Sequence, residues 1–91
     1  MPPIIEHLPA RGRFRTTVDG LPGVADYRLV DGVMHMTHTE VAPALEGRGV
    51  AAALVEAALA HARANGLKVN PLCSYVRVYM QRHPQTRDLL A

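Results

Sequence analysis

Four side chains in this sequence are suited to proton transfer or nucleophilic chemistry. Cys73 is the only cysteine, so the chain forms no internal disulfide and has one thiol to explain. His38 and Glu40 are two residues apart in an extended stretch, which places them on one strand face. Either could act as a general base, and His38 has the better intrinsic pKa for work near neutral pH. Tyr79 could protonate a leaving group.

Each of these residues also has an ordinary structural interpretation. A lone cysteine is often a small, buried apolar residue. His38 and Glu40 could be solvated on an exposed face, and Tyr79 could pack with Tyr75, one helical turn earlier. His35 is predicted on the face opposite His38, and the other histidines show no ligand spacing. We therefore expect no metal site.

The segment from residue 41 to residue 51 predicts an anion-binding site. It contains no Ser, Thr, Asp or Asn to cap the helix that follows, so the first backbone N–H groups of that helix are expected to be free. Gly47 and Gly49 flank Arg48, which lets a ligand approach the backbone closely. Free amides and the positive end of the helix dipole favour an anion. The alternative is an ordinary strand-to-helix turn with water on the free donors.

Composition limits the class of protein. The chain has 91 residues, of which 48% are apolar, and this predicts a single folded domain over residues 1–91. No apolar run approaches the roughly 20 residues of a membrane-spanning helix. The N-terminus lacks the pattern of a secretion signal, so we expect a cytoplasmic protein that does not contact the membrane. A net charge of +2 from scattered basic residues suits an anionic ligand better than nucleic acid.

The first half of the chain predicts an antiparallel meander. Alternating patterns mark strands over residues 13–18, 24–30 and 33–41, and residues 4–7 could add a short fourth strand. Turns are predicted at Asp19-Gly20, extended through residues 21–23, and at Asp31-Gly32. The residues predicted to share one face of the first two long strands are Phe14, Thr16 and Val18, and Ala25, Tyr27 and Leu29.

The second half predicts a helix, a strand and a second helix. Apolar residues at helical spacing run from residue 49 to about residue 64, and Asn65-Gly66 ends the helix. Residues 67–69 form a short strand, expected to be parallel to the third strand because a helix connects the two. Asn70 is predicted to cap the second helix, with Pro71 at its first position.

The second helix ends before His83-Pro84, and a short tail closes the chain. The predicted fold class is therefore α/β (α+β), with a mostly antiparallel sheet of four to five strands and two main helices.

Several motifs occur together between residues 38 and 90. They are His38-Thr39-Glu40-Val41, Glu46-Gly47-Arg48-Gly49-Val50-Ala51, Pro71-Leu72-Cys73-Ser74-Tyr75-Val76, Tyr79, and His83-Pro84 through Asp88-Leu89-Leu90. In this combination the chain resembles the small acetyltransferase-like branch of the GCN5-related N-acetyltransferase superfamily. The strands before residue 38 match that branch in layout more than in residues. The resemblance implies a minimal version of the superfamily fold.

The resemblance also implies that the chain uses acetyl-coenzyme A (acetyl-CoA) as a co-substrate. Backbone N–H groups of residues 45–51 would hold the pyrophosphate, the pantetheine arm would run beside Val41, and the thioester would lie near the start of the second helix. The superfamily usually has Gln or Arg where this chain has Glu46, whose carboxylate must point away from the pyrophosphate or cap the helix. The cofactor-binding residues are then Val41, Leu45, Glu46, Gly47, Arg48, Gly49, Val50 and Ala51, with Asn70 and Ser74 available to a pantetheine amide.

The function implied is N-acetylation of an amine with acetyl-CoA, in which Cys73, His38, Glu40 and Tyr79 are the candidate catalytic residues. Cys73 could accept the acetyl group covalently or could lie near the thioester without reacting. Larger superfamily members carry helices between their first two strands, whereas this chain has only a tight turn there. We therefore expect an open acceptor site that suits a protein lysine or terminus. The alternative is a non-catalytic module that binds CoA.

Overall fold

The computed structural model describes residues 2–91, which form a five-stranded sheet covered by two helices. The strands lie in the sheet in chain order, with the first four antiparallel and the fifth parallel to the fourth. This confirms the predicted fold class and the predicted parallel pair. The elements are β1 (Glu6–Leu8), β2 (Arg13–Val18), β3 (Leu21–Val30), β4 (Val33–Val41), α1 (Val50–Ala64), β5 (Lys68–Pro71) and α2 (Ser74–Arg82), with short 3₁₀ helices at Pro9–Arg11, Pro43–Leu45 and Pro84–Leu89.

In the first half of the chain, the strand boundaries differ from the predicted ones at two places. The β2–β3 turn contains only Asp19 and Gly20, which adopt φ angles of 52° and 75°, and β3 begins at Leu21. Two residues with positive φ are sufficient for a tight hairpin, so residues 21–23 pair with β2 and do not extend the turn. The first strand comprises residues 6–8, so it begins two residues later and ends one residue later than predicted.

The core lies between the sheet and the apolar face of α1. The apolar residues at helical spacing in α1 are buried except Ala51, which is partly exposed; the buried ones are Val50, Leu54, Val55, Ala58, Leu59 and Ala62. Gly23 lets the first turn of α1 approach β3, because a Cβ there would lie 3.1 to 3.3 Å from Val41, Leu54 and Val50 side chains. Phe14, Thr16, Ala25 and Tyr27 are buried as their strand pattern predicts, whereas Leu29, near the end of its strand, is 55% exposed.

A β-bulge in β4 changes which side chains face the helices. Asp26 pairs with His38 but the next residue of β3 pairs with Met36, so Thr37 is an extra residue in β4. Because an extra residue reverses the alternation, His35 and His38 both lie on the helix-free face. The prediction that they lie on opposite faces was therefore wrong. Beyond the bulge, the helix side of β4 carries Thr39 and Val41.

The start of α2 is also different from its predicted position. Asn70 and Pro71 pair with His35 and Met36 as the last residues of β5, and α2 begins at Ser74 with Cys73 as its N-cap residue. The Cys73 N–H donates to the Met36 carbonyl at 2.8 Å, which continues the sheet contact past Pro71. Pairing with β4 thus outweighs the local capping signal of Asn70-Pro71.

The tail after α2 packs back against the edge of the sheet. Residues of Pro84–Leu89 form a 3₁₀ helix, and the Ala91 N–H donates to the Val69 carbonyl at 3.0 Å. Over residues 2–91, no helix is both long and apolar enough to cross a membrane.

Candidate active site

The end of β4 forms one wall of a cleft, because β4 is longer than its parallel neighbour. Pairing with β5 ends at Met36 and Pro71, whereas β4 continues over residues 37–41. The edge of β4 is therefore open on this side, between the first turns of the two helices. The cleft has a volume of about 510 Å³ and is lined by Thr39, Glu40, Val41, Leu45, Glu46, Gly47, Gly49, Val50, Ala51, Ala52 and Tyr75.

Free backbone donors are concentrated at the start of α1. No side chain caps this helix, and five amides form no hydrogen bond with any acceptor among residues 2–91. These are the N–H groups of Gly47, Gly49, Val50, Ala51 and Ala52. The helix dipole adds a partial positive charge at the same point. The arrangement therefore has the features of the anion-binding sites that helix N-termini form.

Three amides in the predicted donor set are not free. The N–H groups of Leu45, Glu46 and Arg48 donate to the carbonyls of Ala42, Pro43 and Leu45 at 2.8, 3.2 and 3.2 Å. The 3₁₀ helix Pro43–Leu45 and the turn after it account for these bonds. The prediction that amides of residues 45–51 are all available was thus wrong for these three residues, while the free set extends one residue further, to Ala52.

The two glycines of this loop hold its shape. Gly47 and Gly49 have φ angles of 78° and 79°, in the left-handed region that strains other residues. An added Cβ would meet no atom within 4 Å at either position. The glycines are therefore required by the backbone conformation and not by a lack of space.

The charged side chains of the loop point in different directions. Arg48 does not line the cleft, since its Nη1 atom donates to Asp19 Oδ2 at 2.9 Å, on the β2–β3 turn. Glu46 does line the cleft and is exposed, as is Glu40 beside the open strand edge. An anion in the cleft would be held by backbone donors, with two carboxylates at the margin.

Cys73 lies where the open edge of β4 meets the start of α2. Its Sγ atom is 3.7 Å from Thr39 Oγ1, and the thiol donates to that hydroxyl. Burial raises the pKa of the Cys73 thiol, but the Val76 amide, the Thr39 hydroxyl and the amides of Tyr75 and Thr39 favour the thiolate and lower the pKa overall. Although no side chain forms a capping hydrogen bond at α2, donors are therefore placed to stabilise negative charge on the sulfur.

His38 and Glu40 form a hydrogen-bonded pair on the helix-free face of the sheet. His38 donates from Nε2 to Glu40 Oε1 at 3.0 Å, which leaves Nδ1 as the basic nitrogen. Both residues line a second cleft of about 320 Å³, and this cleft shares Glu40 and Val41 with the first. The end of β4 thus separates an anion-binding cleft from a cleft that contains an imidazole base.

The two tyrosines of α2 have different surroundings. Tyr75 lines the first cleft, and burial raises the pKa of its phenol. Tyr79, the predicted proton donor, is outside that cleft, and its ring stacks on His83 with centroids 4.0 Å apart. Burial raises the pKa of Tyr79 as well, with contributions from Glu56 and Tyr75.

Two predicted pantetheine contacts also lie outside the cleft. The Asn70 side chain is within hydrogen-bonding distance of His35 Nδ1, at 3.1 Å, on the helix-free face of the sheet. Ser74 is exposed as the first residue of α2 and does not line the cleft. The structure therefore brings neither residue to the open edge of β4.

Comparison with known proteins identifies the family. The model of the GCN5-related N-acetyl-transferase family matches residues 13–89. This chain belongs to that family. Protein NATD1 from Gallus gallus and from Mus musculus is 33% identical over 83 residues, which cover 88% of this chain and 76% of each relative. Human protein NATD1 is equally similar, with 74% of its length covered.

A solved structure shows the same fold. The solution structure of a GCN5-like protein from Staphylococcus aureus, determined by NMR, superposes with a TM-score of 0.76 at 28% sequence identity. The match covers 97% of this chain and 87% of that protein. The family generally uses acetyl-CoA, and membership supports N-acetyltransferase activity in this chain.

Three residues of the candidate site were not among the predicted site residues. Thr39 reaches the cleft only because of the bulge at Thr37, which no local pattern reveals. Ala52 belongs to the free amides because the first four donors of a helix lack internal partners, and that rule could have identified it. The sequence predicts Tyr75 only as a packing partner of Tyr79, and its place beside the cleft follows from the later start of α2.

The structure was also searched for groups of side chains that could bind a metal ion. In residues 2–91, no group of three or more His, Cys, Asp or Glu side chains is arranged to hold a metal ion.

Proposed function

We propose that this chain is an acetyl-CoA-dependent N-acetyltransferase that acts on an amine of a protein. The observation that carries the proposal is the set of five free amides at the start of α1, in a cleft that extends along the open edge of β4 to Thr39. Thr39 in turn contacts Cys73, whose thiolate form is stabilised. The free amides at one end of the cleft and a thiol in contact with Thr39 at the other support this proposal.

The residues of the cleft are suited to bind the pyrophosphate and the pantetheine arm of acetyl-CoA. The amides from Gly47 to Ala52 would bind the pyrophosphate, which needs several donors and gains from the helix dipole. The pantetheine arm would lie along β4. Because Ala42 donates to Pro22 in β3, the alternation of the strand directs backbone groups of Thr39 and Val41 toward the open edge. These groups can bond to the amides of the arm.

The acceptor amine would enter from the helix-free face. There His38 Nδ1 can take the proton that the amine nitrogen loses as it attacks the acyl carbon, and Glu40 orients the imidazole through its hydrogen bond with Nε2. The new C–N bond replaces the C–S bond, so the departing sulfur carries a negative charge. Tyr75 can protonate it, because it lines the same cleft and a tyrosine phenol carries its proton at neutral pH.

We propose that the acetyl group passes through Cys73. Its thiolate would attack the thioester carbon, form an S–acetyl bond and release the coenzyme thiolate, and the amine would then attack the acetylated sulfur. The lowered pKa of Cys73 increases the thiolate fraction near neutral pH. Cys73→Ala should abolish turnover and leave acetyl-CoA binding intact. Turnover in Cys73→Ala would contradict the relay and leave direct transfer to the amine.

The test of the function combines binding and turnover. Acetyl-CoA is titrated into the protein by calorimetry, and release of free CoA is then measured with lysine-bearing peptides. We expect both binding and peptide-dependent release. Binding without release would favour the alternative, a non-catalytic CoA-binding module. Efficient acetylation of small metabolite amines alone would contradict the protein acceptor.

A further inference from the structure

Across the helix-free face of the sheet, three polar side chains form a row that the proposed reaction does not use. Arg28 in β3 pairs with His35 in β4, and His35 pairs with Asn70 in β5. These three residues are called the Arg28 row below. Resting on the proposed function, we infer that the Arg28 row binds an acidic side chain of the acceptor protein, and so selects an amine that has a carboxylate nearby in its own chain.

The bulge in β4 places the Arg28 row beside the proposed base. Because Thr37 is an extra residue, His35 and His38 lie on the same face of the sheet. Asp26 pairs with His38, and Arg28 is two residues further along β3, at about 7 Å. An extended peptide covers the same distance in about two residues. One segment of an acceptor protein can therefore reach the base and the Arg28 row together.

The Arg28 row is separated from the groups that would hold the coenzyme. The five free amides lie at the start of α1, which packs on the other face of the sheet. The phosphates of acetyl-CoA would be bound there, away from Arg28. An anion on the helix-free face therefore belongs to the second substrate, which would enter from that side.

Charge pairing within the sheet leaves Arg28 available. Each acidic residue of the five strands already has a basic partner. The pairs are Asp26 with Arg13, Glu6 with Arg15, and Glu40 with His38, at 2.7, 2.7 and 3.0 Å. Arg28 is exposed and has no hydrogen-bonding or ion-pair partner among residues 2–91. Such a guanidinium binds a carboxylate through charge-assisted hydrogen bonds.

Asn70 determines which nitrogen of His35 is left to donate to a ligand. The Asn70 Nδ2 atom is 3.1 Å from His35 Nδ1. Since an amide nitrogen only donates, Nδ1 is the acceptor and Nε2 carries the proton of the neutral ring. Residues that pair directly across two strands have Cβ atoms about 5 Å apart, so this N–H donor lies next to Arg28. Two adjacent donors suit the two oxygens of one carboxylate.

Acetylation of a peptide series tests the inference. Each peptide has one lysine in a neutral background and one glutamate, placed at each position from four residues before the lysine to four residues after it. The reference peptide has glutamine instead. For the best glutamate position, kcat/KM of the wild-type protein should exceed the reference value about fivefold, chiefly through KM, as expected of an exposed ion pair. Added salt should reduce this preference.

Variants assign the preference to individual side chains. In Arg28→Gln, the ratio of kcat/KM for the glutamate and glutamine peptides should fall to about one. His35→Phe removes the N–H donor and should lower the ratio to about twofold. Arg15→Gln is the matched control, because it removes the same charge from the same face but from a residue already paired with Glu6. It should keep the fivefold preference.

The outcomes separate this inference from the proposed function. Equal kcat/KM for the two peptides in the wild-type protein, or a preserved preference in Arg28→Gln, would overturn the role of the Arg28 row while acetyl transfer stands. A preference lost equally in Arg15→Gln would show a general charge effect and would also overturn it. Absence of CoA release with every peptide would overturn the proposed function, and with it the selection of an acceptor.

A binding measurement examines the Arg28 row without turnover. A peptide with glutamates on both sides of an acetyl-lysine has no side-chain amine to acetylate. In ¹H–¹⁵N spectra it should shift the Arg28 backbone amide and the Asn70 side-chain amide, but not the Ala51 and Ala52 amides. Unchanged signals of Arg28 and Asn70 would overturn the inference. Shifts of these signals on concentrating the protein alone would assign the face to a second copy of this chain, and would also overturn it.

Discussion

The two ends of α1 are built in opposite ways. At its C-terminus the Leu67 N–H donates to the Ala62 carbonyl at 2.9 Å, and the Asn65 side chain donates to the His61 carbonyl at 2.8 Å. Arg63 adds a two-pronged contact with Asp88 at 2.8 and 2.9 Å. At the N-terminus the amides from Gly47 to Ala52, except Arg48, have no partner in residues 2–91.

The comparison indicates how a small domain keeps a functional site open. The C-terminal half of α1 is held by packing around His7. The His7 ring stacks on Phe14 with centroids 4.1 Å apart and packs edge-on with His61 of α1 with centroids 4.4 Å apart. Its Nε2 atom is hydrogen-bonded to the Tyr27 hydroxyl at 2.6 Å. Most helix stability comes from such tertiary contacts. The N-terminal end can therefore leave its donors to a ligand.

The largest expected difference between the two ends comes from their glycines. Gly49 and Gly66 have φ angles of 79° and 67°, and neither has an atom within 4 Å of an added Cβ. Alanine at either position should lower the free energy of unfolding by about 1 kcal/mol, because of the strained left-handed conformation. Only Gly49→Ala should also weaken acetyl-CoA binding, by about tenfold for the loss of about 1.4 kcal/mol of amide contacts.

Calorimetry and thermal unfolding of both variants measure this difference. Equal weakening of binding in Gly66→Ala would mean that affinity follows stability alone, and the contrast between the two ends would fail.

A second effect concerns the Cys73 thiol, which lies beside the open edge of β4. The alkylation rate of Cys73 should rise with pH at a midpoint below that of a free thiol, because its pKa is lowered despite burial. Thr39→Val removes one hydrogen-bond donor and should move the midpoint upward. Thr37→Val is the control, since Thr37 donates to the Asp26 carbonyl instead. A midpoint that is unchanged in Thr39→Val would show that the hydroxyl does not act on the sulfur.

A third effect concerns the pH dependence of stability at the C-terminal end of α1, where His61 contacts His7. Burial lowers the pKa of His7, and His61 adds to the effect, so the folded state favours neutral His7. Histidine in the unfolded chain binds a proton more readily than folded His7, so protonation favours unfolding. The contribution of neutral His7 to the free energy of unfolding is therefore complete above the ordinary histidine pKa of about 6.5. It is lost as the pH falls from there through the lower pKa of the folded state.

Thermal unfolding between pH 7.5 and pH 5 would measure this loss. His61→Gln should reduce the pH dependence without removing the part that burial causes, and His35→Gln, on the other face of the sheet, should keep it in full. A pH dependence that is the same in His61→Gln and the wild-type protein would exclude repulsion between the two imidazoles.

The smallest effect is expected for the ion pair between Arg48 and Asp19. Both side chains are exposed, and exposed pairs contribute about 0–1 kcal/mol. Asp19→Asn should weaken acetyl-CoA binding about twofold at most, by loosening the loop that presents the amides. Glu6→Gln removes the exposed pair with Arg15, far from the loop, and should leave the affinity unchanged. A large effect of Asp19→Asn would mean that the pair, and not the glycines, sets the loop.

Local sequence signals were sufficient for much of the fold. The limits of β2 and β4, the buried face of α1 and the parallel β4–β5 pair follow from periodicity and connection rules. The bulge at Thr37 depends on pairing with β3, and the start of α2 depends on pairing of Pro71 with Met36. Neither contact leaves a pattern in neighbouring residues, so His35 and Asn70 were misplaced.

The candidate site was also predictable only where its features are local in the sequence. Missing cap residues and paired glycines located the free amides, because both are local properties of a helix start. The 3₁₀ bonds of Leu45, Glu46 and Arg48 were not visible in that pattern. The contact between Thr39 and Cys73 joins residues 34 positions apart and required the structure.

The central claim is that free amides at the start of α1 bind the pyrophosphate of acetyl-CoA, and a ¹H–¹⁵N titration tests it most directly. We expect the largest shifts at Gly47, Gly49, Val50, Ala51 and Ala52, with the Gly66 amide unchanged. Binding of acetyl-CoA with its largest shifts elsewhere, or no shift at these amides at saturating ligand, would contradict the claim.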